Sequence, residues 1–138
     1  MMSDQKKIAV IGGGSWATAI VKILSENIET VGWYMRNRAA IEHIKKNNHN
    51  PNYLRAADVY ASQLDLSSDI NRIVANYDVL IFAIPSAFLM SELEKLKKPL
   101  KNKIVFSAIK GIVPETGLIV GEHFHKEYGI PFDNIGVI

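Results

Sequence analysis

Residues Ile8–Ala17 read I-A-V-I-G-G-G-S-W-A. A short apolar run breaks into three glycines, and an apolar pattern of helical period starts straight after them. Gly12, Gly14 and Ala17 fit G-x-G-x-x-A, the spacing of a dinucleotide-binding turn set between a strand and a helix. Gly12 permits the tight turn off the strand, Gly14 lets the backbone approach a pyrophosphate, and Ala17 lets the helix pack on the sheet. The unpaired N–H groups of the first helical turn, at the positive end of the helix dipole, then face the phosphates. Three adjacent glycines also suit a plain flexible connection, so the weight falls on the strand before them and the helix after.

The chain of 138 residues is one domain's worth, enough to bury about two-thirds of its unfolded surface. Hydrophobic residues make up 48% and charged residues 22%, the balance of an ordinary globular protein rather than a disordered one. Net charge is +2 with acids and bases interspersed, and no basic stripe suggests nucleic acid as a partner. Cysteine is absent, which excludes disulfides and thiolate chemistry and fits a reducing, cytoplasmic location. Lys6 and Lys7 precede too short an apolar run for a signal peptide. Val79–Met90, the longest apolar stretch, is interrupted by Pro85 and Ser86 and falls short of a membrane span.

Apolar Lys7–Ile11 predicts a central strand covered on both faces. A helix is expected from Ser15 to about Asn27, with Ala17, Ile20, Val21 and Leu24 on one face. Thr30–Met35 reads as a second strand, Arg38–Lys46 as a helix, and Asn47–Leu54 as a loop. Val59–Leu66 can hold a short third strand, and Ser67, Ser68 and Asp69 offer N-caps for a helix to Asn76. Asp78–Ile84 is the clearest buried strand and stops at Pro85; a helix from Ser86 to about Lys97 follows. Lys103–Ile109, a helix over Glu115–Tyr128, and Asn134–Ile138 complete the pattern. The alternation predicts an α/β fold, a doubly wound and mainly parallel sheet of about six strands with helices on both faces.

Ligands of such sheets sit beyond the carboxyl ends of the strands. That rule selects Gly12–Trp16, Arg36-Asn37, Pro85–Phe88 and Lys110-Gly111. An NAD-specific site usually places an acid where Arg36 stands; an arginine can instead pair with a 2′-phosphate, so NADP is expected to be accepted as well as NAD. A solvated arginine at a helix start is the other reading. Lys110 directly follows a predicted strand, where it either rests in solvent or stabilises developing negative charge on a carbonyl or phosphate. Phe88 either packs in the core or covers a nicotinamide ring. His123 and His125, two apart on a predicted helix, point in different directions and suggest no metal site. G-x-x-x-x-G-K-[ST] and G-x-S-x-G are both missing.

With these residues assembled, the chain resembles the N-terminal domain of bacterial NAD(P)-dependent glycerol-3-phosphate dehydrogenase, a Rossmann domain. The likeness rests on G-G-G-S-W-A-T-A at 12–19, W-Y-M-R-N at 33–37, N-Y-L at 52–54, I-P-S at 84–86, S-A-I-K-G-I at 107–112 and E-T-G at 115–117, in that order. It implies that Ser15 and Trp16 lie at the cofactor's phosphate loop, that Arg36 meets the adenosine ribose with Asn37 beside it, and that Pro85 and Phe88 line the crevice. Lys110 then touches both the nicotinamide end and the substrate.

The same resemblance implies hydride transfer between NADP or NAD and dihydroxyacetone phosphate, giving sn-glycerol 3-phosphate for glycerophospholipid synthesis, in a protein for which a homodimer is compatible. The family's helical C-terminal domain, with a further lysine as general base, is absent from these residues, so the expectation for the isolated chain is cofactor binding with poor turnover. Two rivals stay open. One is another Rossmann dehydrogenase of hydroxyacid or acyl-CoA type; the other is a dinucleotide-sensing module without chemistry.

Overall fold

In the computed structural model, which describes residues 5–138, the glycine turn lies at the middle of a six-stranded sheet. Strand β1 (Ile8–Ile11) is flanked by β2 (Val31–Tyr34) on one side and β4 (Val79–Phe82) on the other. Outside them lie β3 (Leu64–Ser67), and β5 (Ile104–Ser107) followed by β6 (Ile135–Val137). The order is β3-β2-β1-β4-β5-β6, and every pairing is parallel. Between β1 and β4 the direction of winding reverses, so the loops leaving these two strands diverge and a crevice opens at their carboxyl ends.

Side-chain alternation divides the core into two layers. Val10, Trp33, Ile81 and Ala83 face helices α1 (Ser15–Ser25) and α2 (Arg38–Asn47). Ala9, Ile11, Tyr34, Leu80, Phe82 and Val105 face α3 (Ile70–Asn76), α4 (Ser86–Leu93) and α5 (Val120–Tyr128). Both faces are thus covered, which is why β1, β2 and β4 are almost uniformly apolar rather than alternating. Burying each large side chain of this kind stabilises the fold by about 1.5–3 kcal/mol. The rings of Phe82 and Phe124, 4.8 Å apart between centroids, tie β4 to α5.

Three boundaries differ from the sequence expectation by more than two residues, each for a local reason. The third strand starts at Leu64 rather than Val59, because Val59 donates to the Asn48 carbonyl (2.8 Å) and a short 3₁₀ turn, Ala61–Gln63, intervenes. Helix α4 stops at Leu93 rather than near Lys97. Asn71, from α3, takes hold of the chain there: its amide donates to the Lys95 carbonyl, and its oxygen accepts from the Lys97 and Lys98 amides. Helix α5 starts at Val120 and not at Glu115. Gly117 adopts φ +71° and donates to Val113, and Ile112 and Ile119 form an antiparallel bridge, so residues 112–119 are a closed loop.

The edge strand β3 carries Asp65, which accepts from Arg72 (2.7 Å) and from the Tyr77 hydroxyl (2.7 Å). A charge at that position discourages sheet-to-sheet association. Burial, reinforced by the bond to Asp65, raises the Tyr77 hydroxyl well above the usual phenol range, so it stays a donor.

His123 does not share an environment with His125. It is 1% exposed, and neither ring nitrogen has a partner among the described residues. The His125 ring meets the Ile130 carbonyl through Nδ1 (2.8 Å) and stacks on Phe132. Burial lowers the His123 imidazole below its ordinary value of 6.5, against the opposing pull of Glu127 and Glu115. Above that value both folded and unfolded chains hold it neutral, and nothing is lost. As pH falls through 6.5 the unfolded chain takes up the proton first, so stability declines until the lowered folded-state value is reached. Denaturant unfolding at about pH 8 and about pH 5 should therefore show a loss toward acid that is smaller in His123→Phe; an identical loss in both proteins would contradict the assignment.

Candidate functional site

The crevice begins with Gly12, which leaves β1 at φ +135°. A Cβ here would stand 2.3 Å from the Ala83 carbonyl oxygen on the neighbouring strand end, so only glycine lets the two chains pass. From the opposite side the Trp33 indole, fully buried in β2, donates to the Gly12 carbonyl at 2.6 Å. Gly12 also donates its amide to Tyr34 (2.9 Å). The turn is thereby held from both neighbouring strands.

The other two glycine carbonyls are also occupied. Asn50, 1% exposed, donates from its amide to Gly13 (3.2 Å) and to the Thr18 hydroxyl (3.0 Å). Gly14 accepts from the Thr18 amide (3.0 Å) and hydroxyl (2.7 Å). Each of the three carbonyls thus accepts from a protein donor, while the N–H groups opening α1 have no intrahelical acceptor. Such a turn suits an anion. Gly14 has open space where a Cβ would project, in contrast to Gly12.

The resulting cavity, about 310 Å³, is walled by the glycine turn, by Arg36 and Asn37 after β2, and by Pro85 and Phe88 at the start of α4. The structure thus brings together Gly12, Gly14, Arg36, Asn37, Pro85 and Phe88, as the strand-end rule anticipated. Arg36 is exposed, and its guanidinium lies 5.9 Å from the centroid of the Phe88 ring, within cation–π range. Asn37 serves first as the N-cap of α2, accepting from the Ala40 amide at 3.1 Å. Phe88 is 51% exposed, so the core-packing reading fails for it.

Ser15 and Trp16 open α1 on the solvent side of the turn and lie outside the cavity wall. Lys110 is exposed and also outside the wall. Its turn reaches the rim beside α4, since a Cβ on Gly111 would stand 3.9 Å from the Ser86 hydroxyl.

Four contributors escaped the sequence reading: Trp33, Asn50, Tyr34 and Glu92. The first two brace the glycine turn from 21 and 37 residues away, and no local spacing signals that. Tyr34 and Glu92 line the cavity and are hydrogen-bonded to each other. Burial, then the bond to Glu92, raises the Tyr34 hydroxyl far above the ordinary phenol range. The one hint was Glu92 itself, an acid at a position where the helical pattern asks for an apolar residue.

A parallel doubly wound sheet with a glycine turn at its switch point defines a Rossmann-type domain. The family model for the NAD-dependent glycerol-3-phosphate dehydrogenase N-terminus matches residues 7–138, and the chain belongs to that family. It is 35% identical over 137 residues to glycerol-3-phosphate dehydrogenase [NAD(P)+] of Pseudomonas aeruginosa, covering 99% of this chain and 39% of the relative. To the enzyme of the same name from Nitratidesulfovibrio vulgaris it is 34% identical over 122 residues, covering 88% of this chain and 37% of the relative. The glycerol-3-phosphate dehydrogenase structure from Saccharomyces cerevisiae superposes with a TM-score of 0.77 at 22% identity, over 97% of this chain and 41% of that one. This chain therefore spans about two-fifths of the length of these relatives.

Two glycine substitutions separate folding from binding at this turn. Gly12→Ala should destabilise by about 3 kcal/mol or more, because a methyl collides with backbone and the positive φ is strained. Gly14→Ala should leave the melting temperature nearly unchanged while weakening a bound dinucleotide by about tenfold, since its methyl fills the open space beside the glycine turn. Thermal unfolding and calorimetric titration of the two variants check this; equal melting temperatures would refute the wedge at Gly12.

Proposed function

We propose that this chain is the cofactor-holding part of an NAD(P)-dependent glycerol-3-phosphate dehydrogenase, acting in the reduction of dihydroxyacetone phosphate to sn-glycerol 3-phosphate for glycerophospholipid synthesis. The observation that carries the reading is the glycine turn with its carbonyls engaged, leading into the open N–H groups of the first turn of α1 and placed beside Arg36 at the switch point. Membership of the family supports it, as do the relatives' names. When bound, the nicotinamide nucleotide supplies the hydride chemistry.

The chain's own residues divide the remaining work. The amides of Gly13, Gly14 and the first turn of α1, with Ser15 and Trp16 at its outer side, receive the pyrophosphate. Arg36 meets the adenosine ribose. Its planar guanidinium matches a 2′-phosphate in two parallel hydrogen bonds, and it stands at the end of β2 where an NAD-specific site carries an acid. Pro85 and Phe88 form the apolar wall. Lys110, at the rim, brings an ammonium toward the substrate carbonyl and phosphate, where it stabilises negative charge. A reducing cytoplasmic setting suits a chain without cysteine. Among the described residues no helix is long and apolar enough to cross a membrane.

Calorimetric titration of NADPH and NADH onto the chain should give saturable binding of both. Arg36→Ala should lower NADPH affinity by about tenfold or more while changing NADH affinity much less. No heat for either nucleotide at millimolar concentration would end the reading, and an unchanged preference in Arg36→Ala would remove Arg36 from it.

A further inference from the structure

Glu92 occupies a position that helix geometry reserves for an apolar side chain. The buried residues of α4 are Leu89, Glu92 and Leu93, a stripe facing the sheet. Glu92 is 4% exposed, and a leucine there would extend the layer of Leu89 and Leu93 without burying a charge. A carboxylate in such a place asks for partners. Oε1 accepts from the Tyr34 hydroxyl, and Oε2 accepts from Lys95 Nζ at 2.7 Å.

A carboxylate offers about four acceptor positions, so these two donors leave about half its capacity unused. Glu92 and Tyr34 line the same cavity as the glycine turn and Arg36. Phe88 and Glu92 are four residues apart on α4 and therefore share one face, a turn apart. Phe88 stands at the mouth, with the Arg36 guanidinium over its ring, and Glu92 lies one turn further in. The space between the end of β2 and α4 thus has an aromatic ring and a flat cation at its opening and an acceptor deeper in. A planar heteroaromatic base with a donor on its inner edge complements all three.

We propose that Glu92 accepts a hydrogen bond from the exocyclic amino group of the dinucleotide's adenine and so makes the site selective for that base. This rests on the reading of the crevice as an NAD(P) site. Tyr34 and Lys95 act as positioning residues, holding one carboxylate oxygen each so that the group keeps a single orientation. A base bearing a carbonyl at the same edge, as hypoxanthine does, presents lone pairs to lone pairs and is rejected.

The test compares NADH with its hypoxanthine analogue, in which the amino group is replaced by oxygen, by calorimetric titration onto the intact chain. NADH should bind about tenfold or more tightly than the analogue. In Glu92→Gln, whose amide can present either oxygen or NH₂, the ratio should fall to near unity, with circular dichroism confirming the fold. Equal affinities in the unaltered chain overturn the proposal, and that comparison decides even if Glu92→Gln fails to fold. A ratio that survives in a folded Glu92→Gln overturns it too. Binding of neither nucleotide removes the dinucleotide reading, and this proposal with it.

Discussion

The backbone of Gly12 passes between two neighbouring strand ends with no room to spare. On one side is the Ala83 carbonyl, close enough to forbid a Cβ; on the other the Trp33 indole is bonded to the Gly12 carbonyl. These two contacts join the ends of β1, β2 and β4, the three strands whose loops make the crevice. The indole N–H is buried with Trp33 in the layer under α1 and α2, so it requires an acceptor. The strand end supplies it. Core packing and the shape of the glycine turn are therefore one arrangement, and a change in the first is transmitted to the second.

The same economy extends around the turn. Asn50 comes from a loop with few apolar residues, yet it is buried because its amide bridges Gly13 and Thr18. Its own oxygen accepts from the Asn52 amide, which orders the segment leading to Tyr53 on the cavity wall. The carbonyls of the turn accept from protein donors, and the amides opening α1 have no intrahelical acceptor. The wall carries one cation, Arg36, and one carboxylate, Glu92, so the polarity of the site owes more to this selective satisfaction than to net formal charge. Lys110 lies on a different loop, exposed and outside the wall.

Much of this was legible in the sequence because parallel strands covered on both faces and amphipathic helices carry strong local patterns. β1, β4 and the spacing of Gly12, Gly14 and Ala17 sufficed to place the switch point, and from there the ends of β2, β4 and β5 were known to gather. The boundaries that moved were those decided by distant partners. Asn71 ends α4 from another helix, and the bridge between Ile112 and Ile119 withdraws residues from α5. Neither side chain nor bridge leaves a periodic trace.

The sequence by itself determined the α/β class, the order of elements, the glycine turn and the identity of Arg36, Asn37, Pro85 and Phe88 as crevice residues. These follow from hydrophobic period and from the rule that loops at one end of a parallel sheet converge. Only the tertiary structure decided which polar groups are consumed. Trp33 and Asn50 reach the glycine turn across gaps of 21 and 37 residues, and Tyr34 meets Glu92 across 58. Hydrogen bonds between groups so far apart in the chain depend on how the layers pack, and packing is a property of the assembled fold rather than of any window of residues.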